Sequence, residues 1–210
     1  MQISAAALWL NSFFAGFDQS VTLAIHRLYE FAGDFFTPFF EFISFLGKDG
    51  IILVLLSLAL MLFKKTRRFG TAMLFGVALG ALITNCCLKI LIARPRPYAD
   101  EGGLFYQLWL TVGQNMESDK SFPSGHTTAA FATMTAVFMS GKKSVSWTAF
   151  IFAVLMGIAR IYLVVHFPSD VLAGIIVGVL AGVIGTLVSR KVSAKWYEAD
   201  LFRRKAKEGA

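Results

Sequence analysis

The stretch GTAMLFGVALGALITNCCLKILIARPRP, Gly70 to Pro97, is apolar as far as Ile92 and closes on two prolines interleaved with Arg94 and Arg96. A helix rises about 1.5 Å per residue and the hydrocarbon core of a bilayer is roughly 30 Å thick, so the run reads as a membrane-crossing helix that proline stops. Four further apolar stretches surround it: Gly50 to Phe63, Thr127 to Ser140, Val145 to Val164 and Val171 to Ser189. The first of these is short for a span and is expected to recruit part of FFEFISFLGKD ahead of it. Polar punctuation marks the ends, as KKTRR, GKK, HFPSD and RKVSAK.

Composition agrees. Of 210 residues, 56% are hydrophobic and 16% charged, a balance that a soluble domain of this size has too little interior to hide. The formal net charge of +7 sits in short clusters between apolar runs and in the C-terminal tail. That spacing excludes a continuous nucleic-acid face and fits the positive-inside pattern. Lys64, Lys65, Arg67 and Arg68 lie on one side; alternate counting puts Lys142, Lys143, Arg190, Lys191 and Lys195 there too, which assigns that side to the cytoplasm.

The reading is an all-α, polytopic membrane helix bundle with five clear spans plus an N-terminal interfacial or sixth helix. It forms a single domain over 1–210: N-terminal interfacial or tilted helices over 1–46, a core bundle over 47–189 and a basic cytoplasmic tail over 190–210. The opening segment has no basic region or small-residue site that would mark a cleavable signal. Cys86 and Cys87 read as small buried residues rather than as a disulfide or metal site, and His26 as a polar-face residue. The glycines of FGVALGALI and GIIVGVLAGVIG are expected to serve close helix packing.

Polar residues gather at the non-cytoplasmic ends of the spans in three clusters. In KILIARPRP, Lys89 and Arg96 are seven apart, close to two helical turns, and face one way if the helix continues through IARP. They either snorkel at the boundary or shape an anion site together with Arg94. In PSGH, Pro123 starts a helix, Ser124 caps it or contacts a ligand, Gly125 admits a close backbone approach, and His126 follows. Exposed amides at such a start suit phosphate. In ARIYLVVHFPSD, Arg160, His166 and Asp170 are ionisable positions in an apolar run, where they either pair structurally or act. A turn that brings the Asp170 carboxylate to Nδ1 of His166 leaves Nε2 free as a nucleophile. Two histidines, an aspartate and three cations at one end suit phosphoryl transfer, which depends on positioning and charge neutralisation.

These motifs resemble the type 2 phosphatidic acid phosphatase superfamily of membrane lipid phosphatases: Lys89 with six residues before Arg96-Pro97, then Pro123-Ser124-Gly125-His126, then Arg160 with five residues before His166 and three more before Asp170. The resemblance covers roughly Phe35 to Ser189. It implies that His166 attacks phosphorus, Asp170 orients it and His126 protonates the leaving group. Lys89, Arg96, Arg160, Ser124 and Gly125 would bind phosphoryl oxygens. Ala159 replaces the serine that usually opens the third motif, so a hydroxyl near Arg160 or phosphate is lost.

No cofactor is expected, and metal-independent activity follows from five phosphate ligands without a divalent-metal donor set. The expected partners are a phosphorylated membrane lipid and the bilayer, with no nucleic acid and no obligatory protein. Undecaprenyl diphosphate stands first, at the outer face of a bacterial cytoplasmic membrane. Phosphatidic acid or phosphatidylglycerol phosphate is the alternative, and a silent lipid-phosphate binder or transporter is the reading of another class. LFYQLWLTVG is placed beside the entrance or as a lid.

Overall fold

The computed structural model describes residues 3–192 and 194–198. Twelve α-helices form among the described residues: α1 (Ala5–Phe13), α2 (Ala15–Ala32), α3 (Thr37–Leu46), α4 (Ile51–Leu62), α5 (Arg67–Ala81), α6 (Lys89–Ile92), α7 (Leu104–Thr111), α8 (Gly125–Ser140), α9 (Lys143–Ser146), α10 (Ala149–Tyr162), α11 (Pro168–Ser189) and α12 (Ala194–Glu198). No strand forms among the described residues. Among the described residues, four helical stretches are long and apolar enough to cross a membrane: Ala15–Leu62, Arg67–Ala99, Lys143–Tyr162 and Pro168–Ser189. Their outward faces carry Leu55, Leu56, Leu58, Ile176, Leu180 and Ile184 exposed, as bilayer-facing surfaces require.

The centre is the packing of α11 against α8 and α5. A methyl group on Gly178 would lie 2.7 Å from the Thr128 carbonyl oxygen and 2.7 Å from Phe131 Cβ, so only glycine lets these backbones meet. This crossing fixes the start of α8, where His126 sits, against the start of α11, where Asp170 sits. The Ser124 N–H donates to the Asp170 carbonyl at 3.1 Å and joins the two starts directly.

Four details depart from the sequence expectations. The chain from α3 into α4 is not one helix: Asp49 and Gly50 are left-handed, and the break brings Asp49 and Gly50 to the wall of the central cavity. The helix bearing Lys89 stops at Ile92, with Ala93 left-handed, because the residue before Pro95 is driven out of the helical region and the turn is made one step earlier. Cys86 and Cys87 are exposed, on a π-helical turn at Leu82–Leu88 that joins α5 to α6. His26 is buried and stacks on Tyr29 at 5.3 Å, because α2 packs against α10 and α11 instead of presenting that face to water.

At the basic end, Arg67 is fully buried and donates to the carbonyl oxygens of Met61 and Trp196 at 2.7 and 2.8 Å, tying α12 back to the α4–α5 turn. The expected tail beyond Glu198 lies outside the described residues.

Candidate active site

Every one of the three motif clusters reaches the same end of the bundle. A cavity of about 120 Å³ is lined there by Lys89, Arg96, Gly125, His126 and His166, with Glu117 and Asp119 from the loop before α8. Set against about 30 Å³ per liquid water, this is room on the scale of a head group, not of a lipid tail.

The His166 side chain is held from both nitrogens. Arg96 Nη1 lies 2.9 Å from Nε2, and because a guanidinium only donates, Nε2 is the acceptor. Nδ1 therefore carries the proton and faces Asp170 Oδ2 at 3.6 Å and Ser121 Oγ at 3.4 Å. Ser121 in turn donates to Asp170 Oδ2 at 2.5 Å, so the hydroxyl bridges a carboxylate and an imidazole that are too far apart for a direct hydrogen bond. Burial, then the Arg96, Arg160 and Lys89 charges, hold the His166 imidazole well below its ordinary range and keep it neutral.

The cations meet carboxylates. Lys89 and Arg96 both grip the Asp119 carboxylate, Arg96 Nε also donates to the Asp119 carbonyl at 3.0 Å, and Arg160 pairs with Glu117. Burial works to raise the Asp119 carboxyl, but Lys89 and Arg96 overcome it and hold the group below its usual range. Arg160 also donates from Nη1 to Ser44 of α3, while its buried Nε has no partner. Ala159 is fully buried beside it, so Ser44 supplies a hydroxyl to a guanidinium whose own helix offers none at that position.

The PSGH residues divide in two. Ser124 is the N-cap of α8: its fully buried Oγ accepts from the Thr127 hydroxyl at 2.9 Å and from the Thr127 amide at 3.4 Å. Gly125 lies on the cavity wall, and a Cβ built there would be 3.6 Å from Lys89 Nζ. The first amides of a helix have no intrahelical acceptor, so this start offers donors beside a lysine. Arg94 and Arg160 are both absent from the residues lining this cavity; Arg94 bonds to Asp18 and Asp170 instead, whereas Arg160 reaches the cavity wall through Glu117.

A second chamber of about 790 Å³ adjoins the first and shares Arg96, Glu117 and Asp119 with it. Ile3, Pro97, Tyr98, Phe105 and Phe167 supply apolar wall, and Asn11, Asp18, Arg94, Asp100 and Lys120 line it as well. Phe105 of α7 meets Phe167 edge to face at 5.0 Å, and Trp109 stacks on Tyr98 at 4.9 Å, so LFYQLWLTVG forms part of the surround of this chamber. Among the described residues, no group of three His, Cys, Asp or Glu side chains is placed to hold a metal ion.

Residues 69–194, which contain all three motifs, match the family model of the PAP2 superfamily. The chain belongs to the PAP2 superfamily. Among curated relatives of this PAP2 protein, Undecaprenyl-diphosphatase BcrC of Bacillus subtilis is 30% identical over 125 residues, covering 58% of this chain and 60% of that one. Phosphatidylglycerophosphatase B of Bacillus subtilis is 35% identical over 144 residues, covering 63% and 64%. The chain thus spans about three fifths of the length of these relatives. Among solved structures, a transmembrane PAP2-type phosphatidylglycerolphosphate phosphatase from Bacillus subtilis superposes with a TM-score of 0.61 at 26% identity, over 91% of this chain and 99% of that one. LpxE of Aquifex aeolicus gives 0.58 at 28% identity, over 78% and 93%. With its span-length helices and these neighbours, the chain is a membrane protein.

Sequence reasoning did not single out Ser121, Ser44, Glu117, Asp119 or Asp18. Only the last carried a signal: an acid inside an apolar segment is costly unless paired.

Proposed function

We propose that this protein is a lipid phosphatase that cleaves a lipid diphosphate, with undecaprenyl diphosphate as first candidate, through a phosphohistidine and without a metal ion. The observation that carries the reading is the His166 geometry: a neutral imidazole, its Nδ1 proton directed at Asp170 and Ser121, and its Nε2 lone pair turned to the cation-lined cavity.

In the proposed reaction, phosphoryl oxygens replace Asp119 on Lys89 and Arg96 and replace Glu117 on Arg160, and the Gly125 amide adds a donor. Ser124 acts as the cap that holds the amide in place. Arg96 Nη1 passes from Nε2 to a phosphoryl oxygen and frees the lone pair. Nε2 then forms a bond to phosphorus as the phosphorus–oxygen bond to the leaving group breaks, and His126, which takes up a proton when the phosphate's negative charge binds beside it, supplies the proton that the leaving oxygen takes. Asp170 stabilises the charge that develops on His166. Water next gives a proton to His126 and attacks phosphorus, which releases phosphate and restores His166. The three cations supply the neutralisation that a divalent ion provides in other phosphatases.

The rest of the substrate is assigned to the 790 Å³ chamber, whose apolar walls suit the beginning of a lipid chain. The names of two relatives support the choice between substrates: one acts on undecaprenyl diphosphate, the other on phosphatidylglycerophosphate. The chain is assigned one domain with five spans, α8 being the fifth, and α1 and α2 lie at or partly within the bilayer. The basic end faces the cytoplasm and the cavity faces the outside of a bacterial cytoplasmic membrane.

Phosphate release by the purified chain in detergent with EDTA, from undecaprenyl diphosphate, phosphatidylglycerol phosphate and phosphatidic acid, tests this beside His166→Ala. Release abolished by the substitution is the expected result, with the diphosphate the most efficient substrate. No release from any lipid would favour a binding or transport role, and release that requires added magnesium would overturn metal independence.

A further inference from the structure

Arg94 stands two residues before Arg96 yet serves another purpose. Its Nη1 donates to Asp170 Oδ1 and to Ser169 Oγ, each at 2.7 Å; its Nη2 donates to Asp18 Oδ2 at 2.9 Å; its Nε donates to Asn11 Oδ1 at 2.8 Å. The guanidinium also lies 3.9 Å over the Phe167 ring. Asp18 is anchored separately, accepting from the Ser169 amide at 2.8 Å and from the Ser169 hydroxyl at 2.9 Å. Asp18, Arg94, Ser169 and Asp170 are each at least 97% buried.

One buried cation is thus shared by two buried carboxylates. Had Arg94 only Asp170 as partner, the two would form a closed neutral pair, and little of the Asp170 charge would be left to face His166. With Asp18 on its other edge, the guanidinium is divided, and the cluster keeps a net negative charge whose nearest outlet is Asp170 Oδ2. That oxygen also accepts from the Phe167 amide at 3.0 Å and from Ser121, so its direction is fixed as well as its charge.

We propose that Asp18 and Arg94 are positioning residues for the nucleophile: Asp18 of α2 balances Arg94 so that Asp170 carries its charge to the Nδ1 side of His166. The inference rests on the phosphohistidine reading above. Asp18 lies outside the region 69–194 that carries the family match, so the N-terminal helices contribute to the site rather than only flank it.

The other charged or titratable groups around His166 are Lys89 of α6, Arg96 of the following segment, His126 of α8, Arg160 of α10, and Glu117 and Asp119 of the loop before α8. None of these is altered by substitution at Asp18 or Asn11, so a shift in the pH profile reports on the Arg94 cluster.

The experiment compares the full-length chain with its Asp18→Asn, Asn11→Asp and His166→Ala variants, using phosphate release from undecaprenyl diphosphate in detergent across pH. Asp18→Asn removes a negative charge; kcat should fall roughly tenfold, the size of one charge-assisted hydrogen bond. The acid limb of kcat/KM should move to lower pH, because the imidazolium loses a stabilising charge. Asn11→Asp, at a part-buried position, adds a third carboxylate to Arg94 and should move the same limb to higher pH.

A folded Asp18→Asn variant with an unmoved limb, whatever its thermal stability, overturns the inference. If that variant does not fold, an unmoved limb in Asn11→Asp overturns it instead. A wild-type chain that releases no phosphate, or a His166→Ala variant as active as wild type, overturns the phosphatase reading and this inference with it.

Discussion

Replacing Asp119 by Asn should tighten phosphate binding without slowing turnover. Lys89 and Arg96 are both held by this carboxylate, so a phosphoryl oxygen that reaches them competes with it. Its side chain is 48% exposed, and ion pairs screened to that degree contribute about 0.2–1 kcal/mol each, which gives about 0.4–2 kcal/mol for the two pairs. Asparagine keeps the shape and one acceptor but not the charge. A change of about 1.4 kcal/mol is tenfold, so KM and the inhibition constant for inorganic phosphate should each fall about twofold to thirtyfold. Initial rates at a fixed lipid fraction in detergent, with phosphate as competitor, measure both. The gap between wild type and variant should narrow as salt rises. An inhibition constant that stays the same or increases would refute the reasoning, since Asp119 would then not be competing for the cations.

Two further predictions follow from geometry. As the proposed nucleophile, His166 would have to be unprotonated; because burial and three cations depress its affinity for protons, more acid is needed to protonate it, and the acid limb of kcat/KM should lie below about pH 6.5. A limb at or above that value, measured on wild type with saturating detergent, would count against a neutral His166. Gly178→Ala places a methyl 2.7 Å from the Thr128 carbonyl, which cannot move without shifting α8, and should cost about 1–3 kcal/mol, read as a lower Tm. An unchanged Tm would show that α8 and α11 have slack at this crossing.

The helices and the convergence of the three motifs were legible because each depends on local pattern: apolar runs set the spans, and alternate counting put Lys89, His126 and His166 at one end. The partners of those residues were not legible. Arg94 reads as one more cation beside Arg96, and only the packing of α2 against α11 reveals that it faces Asp18, 76 positions away. Ser121 reads as the lead-in to a helix cap, and nothing local says that its hydroxyl reaches both His166 and Asp170. The exposed cysteines were misread for a related reason: an apolar segment does not reveal from sequence which of its faces meets protein and which meets lipid. The break at Asp49 and Gly50 was hidden by the apolar residues on both sides of it.

The π-helical turn at Leu82–Leu88 has a consequence of its own. Such a turn carries one residue more than an α-helix would, and a single residue corresponds to about 100° of rotation and 1.5 Å of length. Below the turn, the helix presents Gly76 and Gly80 to α8 and α11; above it, the same helix presents Lys89 to the cavity, and Thr84 within the turn bonds across to Thr128 at 3.2 Å. The extra residue is a phase shifter between a packing face and a cavity face. The number of residues between Gly80 and Lys89 is therefore as constrained as the lysine itself: a deletion of one would keep every side chain named here and still turn the lysine away from the cavity.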